Sequence, residues 1–404
     1  MEVQEDVPFS LEEVTADWLS KGFTETGLLA SGAVKAIDVQ RIGEQVGFNG
    51  EVAMVTPHYE GDAAAAPDRL VLKIPTASKN RILGQTMGLY EKEIRFYRDL
   101  QPGLSIRTPR HYYSALDIAD DPDVILERLE GMNKLPIWMI RGLMAAASWF
   151  VSGHPRKYVL LIEDLSGYRM GDQEAGCPEA DIESIIVAMA RLHAQYWASA
   201  ELPRMSWIAP YAVTSRIMQM RYLQAYKDFM SDQGAGLTAA QQKLVQWLKV
   251  HGTALTEKFG EEPATLLHGD FRLDNICFDD EAGEIILFDW QTMQAGPGAS
   301  DLAYFISATM PVETDEGTIT ALIDQYHGEL GGHGVDIERD QLQRQYETGM
   351  LCMLHRVLPT VYLPSMDLDE ERGLPLLKAW LSRIFKRLDA IDHQKLTADL
   401  AASD

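Results

Sequence analysis

The chain has 404 residues, 46% hydrophobic and 24% charged, an ordinary balance for a folded protein but long for one core, so two lobes or domains are expected. Its formal net charge of −24 sets the surface against nucleic acid and anionic membrane, while screening over roughly 8 Å leaves room for a local basic pocket. Three scattered cysteines (Cys177, Cys277, Cys352), an acidic N-terminus and the lack of any ~20-residue apolar run predict a cytoplasmic protein without disulfides, zinc or a membrane span.

The first element is a helix. Ser10-Leu-Glu-Glu13 has capping-box spacing, and Leu11, Val14, Trp18 and Leu19 follow at helical intervals. From Val39 to Val55, Gly43, Gly47 and Gly50 interrupt β-prone residues, a glycine-rich hairpin without strict GxGxxG spacing. Such glycines serve either a plain turn or a backbone that closes over phosphates. The strand Arg69 to Ile74 then places Lys73 among apolar residues. It is either an edge lysine that deters aggregation or a buried cation that needs a partner, because an unpaired buried charge costs on the order of several kcal/mol. The helix Tyr90 to Leu100 offers two carboxylates, Glu91 and Glu93.

Pro109 to Asp117 reads as a strand, and Asp120-Asp-Pro-Asp123 as a turn. Residues 124–156, with Trp138, Met139, Trp149 and Phe150, are too apolar for a loop and predict a helical insert that packs as core; the alternative is a border to a substrate cleft or a dimer contact. Tyr158 to Ile162 is a buried strand that ends at Glu163, Asp164 and Leu165. Pro178 to Ala200 is a helix, with Ile182, Ile185, Ile186, Met189, Leu192 and Trp197 along one side. The helical stretch 205–262 is rich in Met and aromatic residues, suited to core packing or to an apolar acceptor site.

The run His268-Gly-Asp-Phe-Arg-Leu-Asp-Asn275 carries the chemistry. Ile276 to Phe278 and Ile285 to Phe288 are apolar β-prone runs around Asp279-Asp-Glu-Ala-Gly283-Glu284, the pattern of a hairpin. Asn275 and Asp289 then lie side by side at its open end. An amide oxygen beside a carboxylate suits Mg²⁺, which takes few protein ligands and fills its other positions with phosphates and water. Asp270 reaches the same cleft as a base. Further on, Asp301 follows a glycine-rich turn, where it caps the next helix and supports the loop that carries Asp270, and residues 314–397 read as helices broken by Pro359 and Pro364.

The interval from Asp270 to Asn275, with a second Asp after a hairpin, is that of the protein-kinase catalytic loop. Here HGD replaces HRD, Trp290-Gln291 replaces Phe-Gly, and no activation segment follows. HGDFRLDN with FDWQ resembles the aminoglycoside phosphotransferase superfamily, above all its ecdysteroid-kinase-like branch. Trp18-Leu19, the Glu93-Ile-Arg-Phe96-Tyr97 run, the strand ending in Glu163-Asp164-Leu165 and the Arg-Leu-His193-Ala segment are similar to that branch as well.

The resemblance implies an α+β fold of the two-lobed protein-kinase type. Residues 1–163 would form an N-lobe of antiparallel sheet plus helix, and residues 164–404 a larger, mainly helical C-lobe. ATP and Mg²⁺ would be the cofactors and a small-molecule hydroxyl the acceptor. Gly43, Gly47 and Gly50 would cover the phosphates and Lys73 would hold them. Glu93 would pair with Lys73, leaving Glu91 facing solvent, and Glu163, Asp164 and Leu165 would form the adenine-binding linker. Asn275 and Asp289 would hold the metal. Asp270 would orient the acceptor hydroxyl and take its proton, His268 would support the loop backbone, and Arg272 would aid the phosphate or the acceptor. His193 would tie its helix to the catalytic loop. Two readings stand beside this one: a nucleotide-binding protein without transfer activity, and a metal-dependent hydrolase, which gives Lys73 and Glu93 no task. A steroid, hydroxyacyl compound, aminoglycoside or amino alcohol remains open as acceptor, as does the oligomeric state.

Overall fold

Strands whose apolar side chains alternate between two faces build the N-terminal half. In the computed structural model, which describes residues 3–4, 6–42, 50–75, 80–363 and 373–402, helix α1 (Ala16–Glu25) precedes strands β1 (Ala33–Arg41), β2 (Gly50–Glu60) and β3 (Leu70–Pro75). Helices α2 (Asn80–Thr86) and α3 (Leu89–Arg95) follow, then β4 (His111–Leu116), the insert helices α4 (Pro122–Met132) and α5 (Ile137–Gly153), and β5 (Tyr158–Glu163). The five strands pair antiparallel in the order β1-β2-β3-β5-β4. Trp18, Leu19 and Phe23 of α1 join Ala53, Val55, Leu70, Leu72, Val159 and Leu161 in the smaller of two large cores.

The helix start differs from the sequence reading. Ser10 makes no side-chain cap; Leu11–Glu13 is one 3₁₀ turn, and Glu13 instead accepts from the Phe9 N–H at 2.8 Å. Thr15 caps α1, its Oγ1 accepting from the Trp18 N–H at 3.1 Å. Burial of Leu11 and Val14 pulls the turn inward and moves the cap down the chain.

The insert also differs from the core expected for it. Only Ile140 of α5 is buried, packed against Ile217 and Met220, whereas Trp138, Trp149 and Phe150 are 74%, 79% and 58% exposed. Hydrogen bonds hold its ends. Gln85 donates to the His154 carbonyl at 2.9 Å, and the Arg156 N–H donates to Gln85 at 3.1 Å. Asn133, between α4 and α5, donates to Glu257 at 3.2 Å and accepts from Ser215 and from the Arg216 N–H, both at 3.0 Å. The insert thus ties α2 of the sheet lobe to the helical lobe.

The helical lobe comprises β6 (Arg169–Met170), α6 (Glu179–Tyr196), α7 (Ser215–Asp232), α8 (Ala239–Phe259), β7 (Ala264–Leu267), β8 (Ile276–Asp279), β9 (Glu284–Leu287) and β10 (Gln294–Pro297). It continues through α9 (Ala299–Thr309), α10 (Glu316–Gly332), α11 (Arg339–Tyr362), α12 (Gly373–Asp389) and α13 (His393–Ala402). Every residue of α9 is buried, and α11, which covers it, packs against α7, α8, α10, α12 and α13 as well. The larger core runs from Tyr90, Ile94 and Phe96 beside the sheet, through α6 and α9, to α11 and α12. Pro359 does not break α11: it sits one turn from the end, where a proline removes a single hydrogen bond, and Pro364 lies outside the described residues. Among the described residues, no helix is long and apolar enough to cross a membrane.

An antiparallel sheet with α3 against it, followed by a larger helical lobe, is the two-lobed α+β fold that the sequence implied. Besides the linker after β5, Arg107 joins the lobes. Its guanidinium bonds Glu163 at 2.9 Å, Asp279 at 2.8 Å and the Tyr168 hydroxyl at 2.7 Å, and its carbonyl accepts from the Leu287 N–H.

Candidate active site

β3 delivers Lys73 to the cleft because Leu70, Leu72 and Ile74 point into the cores around it. Its ammonium lies 2.5 Å from Glu93 Oε1 and 3.5 Å from Asp289 Oδ1. Burial opposes the charge on Lys73, but the fields of Asp289 and Glu93 outweigh it and hold its pKa above the ordinary lysine value. Glu93 is 3% exposed, and its second oxygen accepts from Gln291 Nε2 at 3.1 Å. Glu91 is not the solvent-facing carboxylate expected. It too is buried and bonds Arg95 one turn on, at 2.8 Å, because α3 is covered on both flanks.

The hairpin β8–β9 forms with Ile276 opposite Leu287, and the Phe288 N–H donates to the Asn275 carbonyl at 3.0 Å. That register brings Asn275 and Asp289 to the same end. Asn275 Nδ2 donates to both the carbonyl and Oδ2 of Asp270, each at 2.9 Å, which leaves the amide oxygen as the donor atom for a hard cation. Asp289 adopts φ 65° and ψ 65°, a left-handed conformation uncommon outside glycine, so its carboxylate turns back toward Lys73. Trp290 then stacks on Phe96, ring centroids 4.0 Å apart, so the residues after Asp289 lock onto the helix that carries Glu93. Among the described residues, no cluster of three or more His, Cys, Asp or Glu side chains gathers for a metal. A pair of oxygen ligands is what Mg²⁺ takes when phosphates and water complete its shell.

Asp270 sits in the catalytic loop between β7 and β8. Its Oδ1 accepts from the Tyr304 hydroxyl, and Arg272 Nε lies 3.4 Å from its Oδ2. Burial alone would raise the Asp270 pKa; Arg272, the Tyr304 hydrogen bond, His268 and Arg356 outweigh it and hold the carboxyl below the usual range. Burial likewise opposes the charge on Arg272, and Asp270, Tyr304, Asp274 and Asp289 overcome it. Arg272 also bonds Asp274 at 3.2 Å.

His268 is committed to the backbone. Its Nδ1 accepts from the Asp270 N–H at 3.3 Å, and its Nε2 donates to the Phe288 carbonyl at 2.9 Å. Asp301 does not cap α9. It lies inside the first turn and accepts from the His268 and Gly269 N–H groups at 2.7 and 3.0 Å, so its carboxylate holds the loop. His193 backs Asp301 at 3.4 Å and bonds the Tyr326 hydroxyl at 2.7 Å, linking α6 and α10 to the loop.

The remaining predicted residues are distributed around this centre. Gly50 opens β2 opposite Pro75, beside the lysine strand, whereas Gly43 and Gly47 lie outside the described residues. The side chains of Glu163 and Asp164 pair with Arg107 and Arg69 rather than facing the cleft, and Leu165 is buried against Cys277 and Ile286.

Sequence reasoning missed Tyr304, Gln291 and Arg356, whose guanidinium donates to the Gly269 carbonyl at 2.8 Å. Gln291 belongs to the FDWQ run and was open to notice. Tyr304 and Arg356 reach the loop from α9 and α11, and no local pattern marks them.

The ecdysteroid kinase-like family model matches residues 47–337. A 79-residue segment is 34% identical to Acyl-CoA dehydrogenase family member 10 of Mus musculus, covering 18% of this chain and only 7% of that protein. Among solved structures, the ethanolamine kinase of Plasmodium vivax superposes with a TM-score of 0.50 at 11% identity, covering 89% of this chain and 85% of that one. The choline kinase of Cryptosporidium parvum Iowa II also gives a TM-score of 0.50 at 11% identity, covering 90% and 92% of the two chains. Such distant likeness speaks for the fold; the family match over most of the length speaks for descent. The chain belongs to the ecdysteroid kinase-like family.

Proposed function

We propose that the protein transfers the γ-phosphoryl group of ATP to a hydroxyl of a small molecule, with Mg²⁺ as the metal. The observation that carries this reading is two sets of side chains at one end of the β8–β9 hairpin: Glu93 to Lys73 at 2.5 Å with Lys73 to Asp289 at 3.5 Å, and Asn275 to Asp270 at 2.9 Å, joined by the Phe288 N–H bond to the Asn275 carbonyl.

Phosphoryl transfer asks the protein chiefly to position groups and to offset developing charge. Lys73, kept protonated and aimed by Glu93, binds the α- and β-phosphates. Asn275 and Asp289 hold Mg²⁺, which when bound neutralises charge on the phosphate oxygens. Asp270 stays ionised under the influence of Arg272 and Tyr304, so it can accept a hydrogen bond from the acceptor hydroxyl, orient it and take its proton. His268 fixes the loop that carries Asp270, and Arg272 offers a guanidinium to the transferred phosphate or the acceptor. The backbone of Glu163, Asp164 and Leu165 meets the adenine, and the lobe boundary falls at Asp164. The three free cysteines suit a reducing cytoplasm.

The test is ADP release from Mg-ATP against hydroxylated steroids, hydroxyacyl thioesters, aminoglycosides and amino alcohols, with Asp270→Asn as control. The expected result is acceptor-dependent ADP release that falls by about 10² to 10⁴-fold in the variant while nucleotide binding persists. Mg-ATP binding without turnover on any acceptor would favour a nucleotide-binding protein; no nucleotide binding would overturn the reading.

A further inference from the structure

Helix α5 is apolar on two opposite faces, and only one of them is covered. Ile140 packs against Ile217 and Met220, with Ile137 and Met144 beside it. The other face carries Trp138, Met139, Leu143, Trp149 and Phe150, all exposed. At 3.6 residues per turn, Trp138 and Trp149 fall within about 20° of each other, and Met139, Leu143 and Phe150 form a second ridge. Gly142 and Ala146 lie one turn apart in the furrow between the ridges, and a Cβ at Gly142 would meet nothing within 4 Å.

A helix apolar all round belongs in an interior. A helix that lies on lipid carries a strongly polar face opposite its apolar one, and α5 has apolar packing there instead. A chain of net charge −24 is moreover repelled by an anionic bilayer.

We propose that this face binds the same face of a second copy of the chain, with the two α5 helices antiparallel about a twofold axis near Met144. Three pairs on the exposed face match about that residue: Trp138 mirrors Phe150, Met139 mirrors Trp149, and Gly142 mirrors Ala146. Antiparallel pairing therefore sets large side chains against large ones at both ends and small against small at the centre, where the helix axes approach closely. An isologous contact needs this self-complementarity.

Charge permits the contact as well. Residues 131–162 contain no Asp or Glu in a chain that has 60 of them, so two copies meet here without the repulsion their remaining surfaces exert. Lys134 and Arg141 are the cations nearest the face in sequence, so it carries no negative charge of its own to repel a second copy. With aromatic side chains of roughly 200 Å², the exposed parts of Trp138, Trp149 and Phe150 amount to about 400 Å². Met139, Leu143, Gly142 and Ala146 beside them extend this toward the roughly 800 Å² per partner of a standard interface.

The experiment is sedimentation equilibrium of the full chain at tens of micromolar, for wild type, Trp149→Glu and Trp138→Gln. Thermal melts confirm that the variants, altered at exposed positions, remain folded. The expected result is twice the 45.2 kDa chain mass for wild type and at least tenfold weaker self-association for each variant. In a mixture of Gly142→Cys and Ala146→Cys proteins, oxidation is expected to give the mixed disulfide dimer in preference to either homodimer. A monomeric wild type, a dimer indifferent to both substitutions, or a monomer that binds phosphatidylcholine vesicles through Trp149 would each overturn the proposal.

Discussion

Neutralising Glu93 probes the centre of the site. Lys73 is buried beside two carboxylates, the nearer at 2.5 Å and the farther, Asp289, at 3.5 Å. Taking an ammonium out of water costs several kcal/mol, and breaking a buried pair outright costs about 3–5 kcal/mol. In Glu93→Gln the amide keeps its shape and its neighbour Gln291, and Asp289 recovers part of the lost attraction. The expected net destabilisation is therefore about 1–3 kcal/mol. Function falls further than stability, because Lys73 then leans on Asp289 and draws charge from the group proposed to hold Mg²⁺. Turnover should drop by about 10²-fold or more, equivalent to about 2.7 kcal/mol. Urea unfolding gives the first quantity and ADP release the second. Lys73→Met alone and combined with Glu93→Gln completes a cycle, in which the double variant should lose less than the two singles together, because no uncompensated buried charge remains. A Glu93→Gln protein with an unchanged urea midpoint and full turnover would refute the reasoning.

Three further outcomes are expected. Tyr304→Phe removes the hydroxyl that donates to Asp270; hydrogen bonds to charged groups contribute about 1.5–3 kcal/mol, so kcat should fall by about 10 to 100-fold, and steady-state kinetics with unaltered kcat would exclude a positioning role. Gly269 has φ 78°, and a Cβ there would collide with the Thr292 carbonyl oxygen; Gly269→Ala should cost about 1–3 kcal/mol and distort the catalytic loop, which a melting curve at parent stability would contradict. Burial beside Gln219 pushes the His355 pKa down to about 3, below the ~6.5 of an unfolded histidine, so its contribution to stability is full above pH 6.5 and declines as pH falls toward 3. In His355→Gln, urea titrations across that window should lose up to about 1.4 kcal/mol per pH unit of slope, and an identical slope in both proteins would count against the assignment.

What the sequence made legible was local. Asp270, Asn275 and Asp289 are brought together by one loop and one hairpin, whose register follows from two short apolar runs and a glycine turn. Lys73 stood out as a cation in an apolar strand, and the resemblance of the Glu93-Ile-Arg-Phe96-Tyr97 run to the family singled out Glu93 as its partner. What stayed hidden depends on distant segments. Tyr304 and Arg356 approach Asp270 from helices far along the chain, and their own neighbours look like ordinary core. Asp301 is the exception: the sequence offered it both as a cap and as a support for the loop, and its carboxylate takes the two loop N–H groups instead of capping α9. The apolar content of residues 124–156 could not reveal how many of its faces the chain itself covers, since hydropathy is the same for a side chain packed inside and one awaiting a neighbour.

Two of the connections between the lobes have a mechanical consequence. One is the linker at Leu165, reinforced by Arg107; the other is the insert, fastened through Asn133 to Ser215, Arg216 and Glu257. A body joined at one place swings freely about it, but a second fastening turns that swing into a latch. Any widening of the cleft that pivots on the linker must stretch the bonds at Asn133, each with a net strength of about 0.5–1.5 kcal/mol. The ease with which the protein admits and releases its ligands is then set in part by an asparagine that touches neither of them.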